Sequence, residues 1–380
     1  MADTDRKRAY LRLHLAAGVG AVTFRRLIEA FGDVERVFAA GPSQWRGVEG
    51  VGPKTAEAIA AVTDPQIDEE LSEAEKRGAA MLCPDDPQYP ASLKTIYDYP
   101  ALLYVRGRLR PSDALAMGVV GSRHCTHYGL EQAERFGELL GRAGFTVVSG
   151  GARGIDTAGH RGALAAGGRT IAIMGCGLSG LYPPENTKFF EQIVAEDRGA
   201  ILSELPMRTA VLAGNFPTRN RIISGLSLGV LVVEAARQSG ALITAKEAAE
   251  QGRQVFAVPG RIDSPLSHGT NELIRNGAIL VQNLEDILEH LGEVGAKMAP
   301  QEDAPEQGIS IAMNETEASL FALLKQGPLN LDELARRSGQ DSGKVASAMT
   351  MLVIKGAVSQ QPGNVFAIKT RRTTKGQTAN

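Results

Sequence analysis

Arginines beside glycine-rich turns are the side chains of this sequence best equipped for chemistry. One apolar run ends in Gly121-Ser122-Arg123 and the next in Gly150-Gly151-Ala152-Arg153, and a helical pattern follows each turn. Glycine lets a ligand approach the backbone, amides at a helix start attract anions, and a guanidinium group can bond two phosphate oxygens at once. The two turns therefore predict a phosphate cradle, although glycines at such turns also serve close packing without any ligand.

An aromatic residue followed by polar side chains forms a second candidate element of the site. Phe216 is followed within one short stretch by Arg219, Asn220 and Arg221. A base stacked on an aromatic ring contributes about 1–3 kcal/mol whatever its identity, and nearby cations neutralise the backbone. The pattern favours an oligonucleotide bound without sequence preference. The alternative places Phe216 in the core and pairs the arginines with Glu204 and Glu234, and we expect at least one arginine to serve structure.

Side chains suited to acid–base or metal chemistry are sparse. His160 follows Asp156 by one helical turn, so both side chains share a helix face. Two interpretations stay open: a catalytic or metal-binding pair, or, as we favour, a carboxylate that braces the glycine turn beside a packed histidine. His268 is similarly isolated. We therefore predict no catalytic residue, no metal site and no cofactor, and a protein that is not an enzyme.

Two short motifs typical of enzymes lack the context that they need. Gly175-Cys176-Gly177-Leu178-Ser179-Gly180 matches the dinucleotide fingerprint GxGxxG, but Pro183-Pro184 follows too soon for a helix to begin at the pyrophosphate. Gly225-Leu226-Ser227-Leu228-Gly229 matches the nucleophile elbow GxSxG, but it precedes a predicted strand, whereas the elbow must follow one. Neither motif supports dehydrogenase or hydrolase chemistry.

The elements that position these residues are short apolar runs that alternate with amphipathic helical stretches. Continuous hydrophobicity is typical of strands buried on both faces, and the intervening helices are long enough for right-handed crossovers. The candidate strands are Ala116–Gly121, Phe145–Ser149, Thr170–Met174, Ala200–Glu204, Val230–Glu234, Val255–Val258 and Ile279–Val281. Residues 76–291 are therefore predicted to form a Rossmann-like α/β domain with a doubly wound, mostly parallel sheet, including an extra strand or two within 78–112. Such sheets bind ligands at the carboxyl ends of their strands, where the arginine turns lie.

Residues 1–75 are predicted to form a helical helix-hairpin-helix/SAM-like domain. Gly-Val-Gly occurs twice before a helical pattern, at 18–20 and at 50–52. Such a hairpin exposes amides at a helix start and can hold a phosphate. The alternative is that the glycines only permit close helix crossings, with the nearby cations Arg25, Arg26 and Lys54 solvated.

The C-terminal part of the chain is predicted to contain a linker, a small domain and a tail. Residues 292–312 have the Gly, Ala, Pro, Glu and Gln composition of a linker. Residues 313–369 predict three helices and a hairpin, which is the pattern of a winged helix, and the basic residues 370–380 follow. The presumed recognition helix carries only Lys344 and Lys355 as cations, so we favour a protein-contact or regulatory role over sequence-specific DNA reading.

Composition narrows the possible settings. The net charge of -2 means that nucleic-acid binding needs a local basic site, since no global positive field exists. Cys83, Cys125 and Cys176 lack metal-ligand spacing and are interpreted as reduced thiols. No apolar run is long enough for a membrane span, and the N-terminus lacks the form of a signal peptide. A cytoplasmic protein without membrane contact is predicted.

The motif blocks, taken together, resemble the DNA-processing protein A (DprA/Smf) family. The resemblance rests on GSR at 121–123, SGGARGID at 149–156, GLSGLYPPEN at 177–186, FPTRNRIISGLS at 216–227, VVEAARQSGALITAKEA at 232–248, GRQVFAVPG at 252–260 and GTNELIRNGA at 269–278. It implies a bacterial protein that binds and shields single-stranded DNA and helps to load the RecA recombinase during natural transformation. It also implies a homodimer through the α/β cores, and it places Arg123 and Phe216 in the DNA pocket.

The sequence departs from the family pattern at two positions. Some relatives carry a lysine shortly before the phenylalanine or just after the Tyr-Pro motif, where this chain has Ala213-Gly214-Asn215 and Pro184-Glu185. Lys188 is the candidate residue that compensates for the absence of these two lysines.

Two other functional classes stay open. The core is also similar to nucleotide-binding phosphoribohydrolases, but the stretch from Glu234 to Gly240 departs from their PGGxGTxxE motif. A third interpretation is a scaffold that binds protein partners.

Overall fold

The computed structural model describes residues 3–292, 314–325, 327–355, 357–361 and 365–368. The chain forms two compact units, Met1–Ala299 and Pro300–Asn380. The predicted linker, apart from residue 292, and the predicted basic tail lie outside the described residues, as do residues 362–364 of the hairpin turn that the sequence predicts at 361–364. The predicted domain boundaries remain predictions.

Short helices build the N-terminal part of the first unit. They are α1 Asp3–Leu15, α2 Ala21–Phe31, α3 Val34–Ala40, α4 Pro42–Trp45, α5 Pro53–Ala61 and α6 Asp64–Lys76. The hairpins before α2 and α5 turn at Gly18 and Gly50, whose φ angles of 84° and 87° favour glycine. Arg25 pairs with Glu29, and Arg26 pairs with Glu49. These two cations are therefore engaged on the protein surface rather than only solvated.

The helical part shares its hydrophobic core with the α/β part. Leu11, Phe24 and Trp45 belong to one buried cluster with Tyr104 and Met174 of the α/β part. Burying a large apolar side chain stabilises a fold by about 1.5–3 kcal/mol. The helices therefore form a fixed wall of the first unit.

A nine-stranded sheet forms the centre of the first unit. Its strands are β1 Ala79–Leu82, β2 Leu103–Gly107, β3 Ala116–Val120, β4 Thr146–Ser149, β5 Arg169–Ile173, β6 Gly199–Ser203, β7 Gly229–Val232, β8 Gln254–Ala257 and β9 Ile279–Leu280. Their order is β1-β2-β6-β5-β4-β3-β7-β8-β9. The β1–β2 and β2–β6 pairs are antiparallel and all the others are parallel. Each predicted strand is confirmed, with ends that differ by one or two residues.

Helices cover both faces of this sheet. They are α7 His127–Arg142, α8 Ile155–Ala165, α9 Thr187–Ala195, α10 Asn215–Leu226, α11 Gly240–Glu250, α12 His268–Arg275 and α13 Glu285–Leu288. Phe136 of α7 and Ile155 of α8 pack against Val119 on one face. Ile222 of α10 and Ala245 of α11 pack in the cluster of the opposite face. The doubly wound α/β class is therefore confirmed.

The chain reverses its direction of travel across the sheet between β3 and β7. From β3 it proceeds through β4 and β5 to β6, and it then returns to place β7 on the other side of β3. The loops that leave two such strands diverge to opposite faces of the sheet and open a crevice between them. The fold therefore positions a binding cleft at the carboxyl ends of β3 and β7.

The second unit has the predicted winged-helix arrangement. Its elements are α14 Glu315–Leu324, β10 Leu329–Asn330, α15 Leu331–Ser338, α16 Ser342–Ile354, β11 Val358–Gln361 and β12 Val365–Ile368. The strands form a three-stranded sheet in the order β10-β12-β11. Leu320, Leu334 and Met349 give this unit a core of its own. Within the described residues, no helix in either unit has the length and apolar character needed to cross a membrane.

Candidate nucleic-acid interface

A cleft of about 710 Å³ opens where β3 and β7 end. We call it the β3–β7 cleft and define it by the residues that line it. These include Gly121, Ser122, Arg123, Ala152, Asp156, Tyr182, Val211, Ala213, Phe216, Arg219, Asn220, Gln238, Ser239, Ile243 and Thr244. Six of the residues predicted from the sequence therefore meet in one place: Gly121, Ser122, Arg123, Phe216, Arg219 and Asn220.

Four planar side chains form a row that follows one wall of the β3–β7 cleft and ends beside the cleft at Arg153. The Arg123 guanidinium lies 4.9 Å from the ring centroid of Phe216, and this ring lies 5.8 Å from that of Tyr182. The Arg153 guanidinium lies 5.5 Å from the Tyr182 ring. Phe216 is held in place because its ring packs on Gly175, where a Cβ atom would lie 2.8 Å from the ring carbon Cδ1. Flat cationic and aromatic surfaces of this kind accept nucleobases and phosphates.

Arg123 is the cation of the row that is available to a ligand. Its side chain is exposed, and it makes no ion pair or hydrogen bond with any residue that the structure describes. Ser122 beside it accepts a hydrogen bond from the His124 amide at 3.2 Å, which leaves the hydroxyl proton free to donate. The Gly121-Ser122-Arg123 turn thus offers a guanidinium and a hydroxyl to the cleft.

The glycine turn that follows β4 does not form the predicted phosphate cradle. The amides of Gly150 and Ala152 donate to Asp156 Oδ2 at 3.1 and 3.3 Å, and Gly150 and Gly151 are both buried. Gly150 must be glycine for packing, since a Cβ atom there would lie 2.4 Å from Arg219 Nη2. The prediction that these glycines receive a ligand is corrected, because an internal carboxylate already occupies the turn. The predicted bracing role of Asp156 is confirmed.

Buried polar groups form the floor of the cleft. Arg219 is 4% exposed and donates to the Gly150 carbonyl at 2.8 Å. Burial lowers the pKa of Arg219 to about 10, although the nearby Asp156 carboxylate opposes that shift. Burial raises the pKa of Asp156, with Arg219 again opposing the shift. Arg219 therefore supplies positive charge to the floor without reaching into solvent.

His160 lies below this floor and has a structural role. It is fully buried, and its Nδ1 lies 2.5 Å from Thr170 Oγ1. The Thr170 hydroxyl donates to the Val147 carbonyl, so the histidine must be the donor to Thr170. Burial, and secondarily the charge of Arg219, lowers the pKa of His160 to about 3. A neutral histidine without solvent access does not serve as an acid or a base, so the structural interpretation is confirmed.

Arg221 does not belong to the cleft. It is 4% exposed, and it contacts Glu204 at 2.6 Å and Asp98 at 2.8 Å. Burial alone would lower the pKa of Arg221, but these carboxylates outweigh it and the pKa is raised. The prediction of a ligand contact at Arg221 is corrected, because both of its faces are taken by internal acids. The expected pairing with Glu204 is confirmed.

Glu234 pairs with neither arginine. It accepts hydrogen bonds from the backbone and side chain of Thr126 at 2.7 and 2.8 Å. These bonds tie the end of β7 to the start of α7.

Arg153 and Lys188 lie beside the cleft. Arg153 donates twice to Glu185, once at 3.0 Å, and it also donates to the Tyr182 hydroxyl at 3.1 Å. Lys188 on α9 is exposed and lines a separate groove. The structure therefore does not gather all the predicted arginines along one rim.

The two motifs typical of enzymes lie in a structural context that differs from the one their chemistry needs. In the segment that matches GxGxxG, β5 is followed by coil and a short 3-10 helix at Pro184–Asn186, and the next α-helix begins only at Thr187. The GxSxG segment ends α10 and precedes β7. Across the described ranges, no group of three or more His, Cys, Asp or Glu side chains is placed to hold a metal ion.

Comparison with known proteins decides the family. The family DNA recombination-mediator protein A matches residues 80–292. A DprA-like N-terminal HHH domain matches residues 4–71, and the DprA winged helix domain matches residues 298–364. The chain belongs to the DprA/Smf family. Protein Smf of Synechocystis is 37% identical over 378 residues, which cover 91% of this chain and 94% of that relative.

Solved structures of DprA/Smf proteins agree with this assignment. DNA processing protein A from Streptococcus pneumoniae matches with a TM-score of 0.65 and 34% identity, over 74% of this chain and 97% of that one. DNA processing protein A from Helicobacter pylori, a protein with a described single-stranded DNA binding mode, matches with a TM-score of 0.50 and 30% identity. That match covers 56% of this chain and 95% of the other.

This DprA/Smf member has cleft residues that sequence reasoning missed. Tyr182 lies within the GLSGLYPPEN block, and Ser239 and Thr244 lie within the SGALIT segment. The reversal of strand order could have indicated Ser239 and Thr244, since it places the segment after β7 beside the loop after β3. It could not have indicated Tyr182, which lies in the loop after β5. The rim also contains the exposed Ala213, in the stretch where some DprA/Smf relatives carry a lysine.

Proposed function

We propose that the β3–β7 cleft binds single-stranded DNA without sequence preference, and that the protein shields the strand during natural transformation. The carrying observation is the exposed Arg123 guanidinium stacked 4.9 Å above the Phe216 ring in an open cleft. A ring accepts the face of any base, and a guanidinium neutralises a phosphate, so the pair favours an oligonucleotide of mixed sequence. The Helicobacter pylori relative, which has a described single-stranded DNA binding mode, supports the same class of ligand.

The proposed contacts are divided by position. Arg123, Ser122 and Phe216 touch the strand, Gly121 and Asn220 shape the wall, and Arg219 contributes charge from the floor. Arg153 and Lys188 lie along the strand beyond the cleft. Gly150, Gly151 and Arg221 maintain the framework, because their polar groups are buried or engaged internally.

Single strands are favoured over duplex by the way a base must approach Phe216. Stacking on the ring requires an unpaired base whose face is free, and a duplex presents only its edges in the grooves. Val211 and Ile243, which are 42% and 39% exposed, extend the apolar surface at the rim. The overall charge of -2 adds no general attraction for duplex DNA.

The proposal is tested by measuring oligonucleotide affinity for Arg123→Ala and Phe216→Ala. Phe216→Ala is expected to lose about 1–3 kcal/mol of binding free energy, the contribution of one stacked base. Arg123→Ala is expected to reduce the slope of log affinity against log salt by about 0.7, the value for one phosphate contact on a single strand. Arg142→Ala, an exposed arginine at the end of α7 paired with Glu138, is the control. Unchanged affinity in both cleft variants, with folding intact, would remove the assignment.

The wild-type protein distinguishes the remaining functional classes. Affinity for mixed-sequence single strands should fall steeply with salt and exceed that for duplex of equal length. A flat salt response together with release of base from nucleoside monophosphates would instead support the phosphoribohydrolase class. The engagement of Glu234 by Thr126 argues against hydrolysis, and we propose a cytoplasmic binding protein without catalysis.

The proposed partners are RecA and a second copy of the chain. RecA loading rests on the family resemblance. It is tested by measuring whether RecA assembles faster on a single strand to which this protein is already bound.

A homodimer through the α/β core is supported by the edge strand β9, where Leu280 is 43% exposed. Unpaired edges of this kind accept another chain. Sedimentation velocity measures the mass in solution.

A further inference from the structure

A second groove, of about 460 Å³, lies beside the β3–β7 cleft on the surface formed by α8 and α9. We call it the α8–α9 groove, and Arg161, Leu164, Glu185, Lys188, Phe189 and Gln192 are among the residues that line it. Arg161 projects from α8, and Lys188 from α9. Two helices thus contribute one cation each to a concave surface with a partly buried aromatic residue, Phe189, in its lining.

We propose that the α8–α9 groove is a second phosphate subsite, in which Arg161 and Lys188 bind the backbone of a single strand that leaves the β3–β7 cleft. This inference rests on the proposed function, since it extends the path of the same strand. The ligand class is the phosphodiester backbone of an oligonucleotide that is too long for the cleft alone.

The two cations of the groove are available for a ligand. Arg161 and Lys188 are both exposed, and neither makes an ion pair or hydrogen bond with a residue in the described part of the chain. Most other exposed arginines of the first unit, such as Arg142 and Arg208, are paired with a carboxylate. Unpaired cations on facing helices leave a positive field that a polyanion can neutralise.

The acidic side chains of the groove are occupied by other partners. Both oxygens of Glu185 accept hydrogen bonds from Arg153. Glu196 accepts a hydrogen bond from Gln192 at 2.8 Å. The lining has two cations and two carboxylates, and Arg153 at its border brings the formal net charge to +1.

Arg153 connects the groove to the cleft. It stacks on Tyr182, which lines the cleft, and it bonds Glu185, which lines the groove. A strand stacked on Phe216 and Tyr182 would therefore meet the guanidinium of Arg153 before it reaches Lys188 and Arg161.

The test compares short and long oligonucleotides on the full-length protein. Oligothymidylates of about 4 and about 16 nucleotides span the range of single-strand site sizes. The double variant Arg161→Ala/Lys188→Ala should bind the short strand as the wild type does. For the long strand its salt slope should fall by about 1.4, which corresponds to two lost phosphate contacts. The charge-preserving variant Arg161→Lys/Lys188→Arg should keep the wild-type slope.

Matched variants separate this inference from the proposed function. Arg142→Ala/Lys246→Ala also removes one arginine and one lysine from two helices of the same unit, and it should leave both strands unaffected. Arg123→Ala should weaken binding of both the short and the long oligonucleotide, because Arg123 lines the cleft and not the groove. If Arg161→Ala/Lys188→Ala binds the long strand with the wild-type salt slope while Arg123→Ala is impaired, the groove is not a subsite and the cleft remains one. An equal loss for both lengths would likewise overturn the inference.

Discussion

Three arginines that the sequence predicts in the site have different roles in this protein. Arg123 is exposed on an aromatic ring, Arg219 is buried under the cleft, and Arg221 is enclosed by two carboxylates. The sequence predicts that arginines gather near the cleft, and it predicts that at least one of them serves structure. It could not identify which, because one partner of Arg221 is Asp98, which lies 123 positions away.

The buried Asp156 carboxylate explains why the predicted phosphate cradle of backbone amides does not form. The sequence indicates glycine turns at strand ends, but whether their amides are free depends on where one carboxylate points. Asp156 lies in the first turn of α8, and its carboxylate accepts a hydrogen bond from the Gly150 amide. Local spacing correctly indicates that Asp156 can brace the turn, whereas the resulting loss of free amides appears only in the folded arrangement. The groups at this turn that stay available to an anion are therefore side chains.

His160 yields a prediction about stability and pH. Its pKa is about 3 in the folded protein, because of burial and then the charge of Arg219, against an ordinary value of 6.5. Between these two values the unfolded chain binds a proton at His160 that the folded chain excludes. The neutral histidine therefore contributes to the stability of the fold above pH 6.5, and this contribution is lost as the pH falls from 6.5 toward 3. The loss is at most about 1.4 kcal/mol per pH unit.

Urea unfolding at pH 7 and pH 5 measures this effect. His160→Asn keeps a donor toward Thr170 and removes the titrating group, so the decline between the two pH values should be smaller than in the wild type. Asp156 changes stability with pH in the opposite direction, since burial raises its pKa. This effect is present in both the wild type and His160→Asn, so it does not alter the comparison. His127→Asn, at an exposed position on α7, should keep the wild-type decline. An identical decline in His160→Asn would contradict the prediction.

At the scale of elements, α6 positions both loops that carry the cleft aromatics. Glu70 accepts the Met207 amide at 2.6 Å. Glu73 accepts the Ser179 hydroxyl at 2.8 Å and Arg208 Nη2 at 2.9 Å. The loop with Ser179 leads to Tyr182, and the loop with Arg208 leads to Phe216. The helical N-terminal part therefore sets the width of a cleft to which it contributes no lining residue.

Glu73 is the position at which this support can be tested. Hydrogen bonds from Ser179, Arg208 and Arg77 lower the pKa of Glu73 to about 2, so the carboxylate is charged at neutral pH. Glu73→Gln should weaken binding of single-stranded DNA by a few-fold, because a neutral amide holds Arg208 less firmly and the loops lose their fixed spacing. Fluorescence anisotropy with a labelled oligonucleotide measures the change.

A double-mutant cycle with Phe216→Ala shows whether the effect passes through the cleft aromatic. Glu73→Gln should add little to the loss already caused by Phe216→Ala, since coupled residues are not additive. Glu69→Gln, on the exposed side of the same helix, should have a smaller effect. Fully additive losses would mean that Glu73 acts only through general stability.

Secondary structure elements were predictable where one simple rule decides them. The strands of the parallel sheet are buried on both faces, so they appear as continuous apolar runs whatever packs beside them. The helical hairpins are marked by glycines that take positive φ angles. The contact of α6 with two distant loops has no such local signal, because it joins residues more than 100 positions apart, as Glu73 and Ser179 do.

At the scale of the whole molecule, the cleft residues lie in one unit and the winged helix in the other. The two units have separate hydrophobic cores, one formed around Leu334 and the others within the first unit. The sequence predicted this division from the change in composition near residue 292. It also predicted a domain boundary near residue 75, which remains a prediction; on either side of it the helices and the sheet share a core and lie in one compact unit.

Deletion of residues 293–380 should leave the affinity for single-stranded DNA within about twofold of the wild type. The deletion removes no residue that lines the cleft or the groove. The binding free energy should therefore change by much less than the 1.4 kcal/mol that a tenfold change in affinity requires. Trp45, the single tryptophan, lies in the first unit, so its fluorescence should report the same unfolding midpoint in both chains. Calorimetry of the full chain should show an additional transition that the shortened chain lacks. A tenfold loss of affinity with an unchanged tryptophan midpoint would show instead that the winged helix contacts DNA, contrary to the protein-contact role favoured by its few cations.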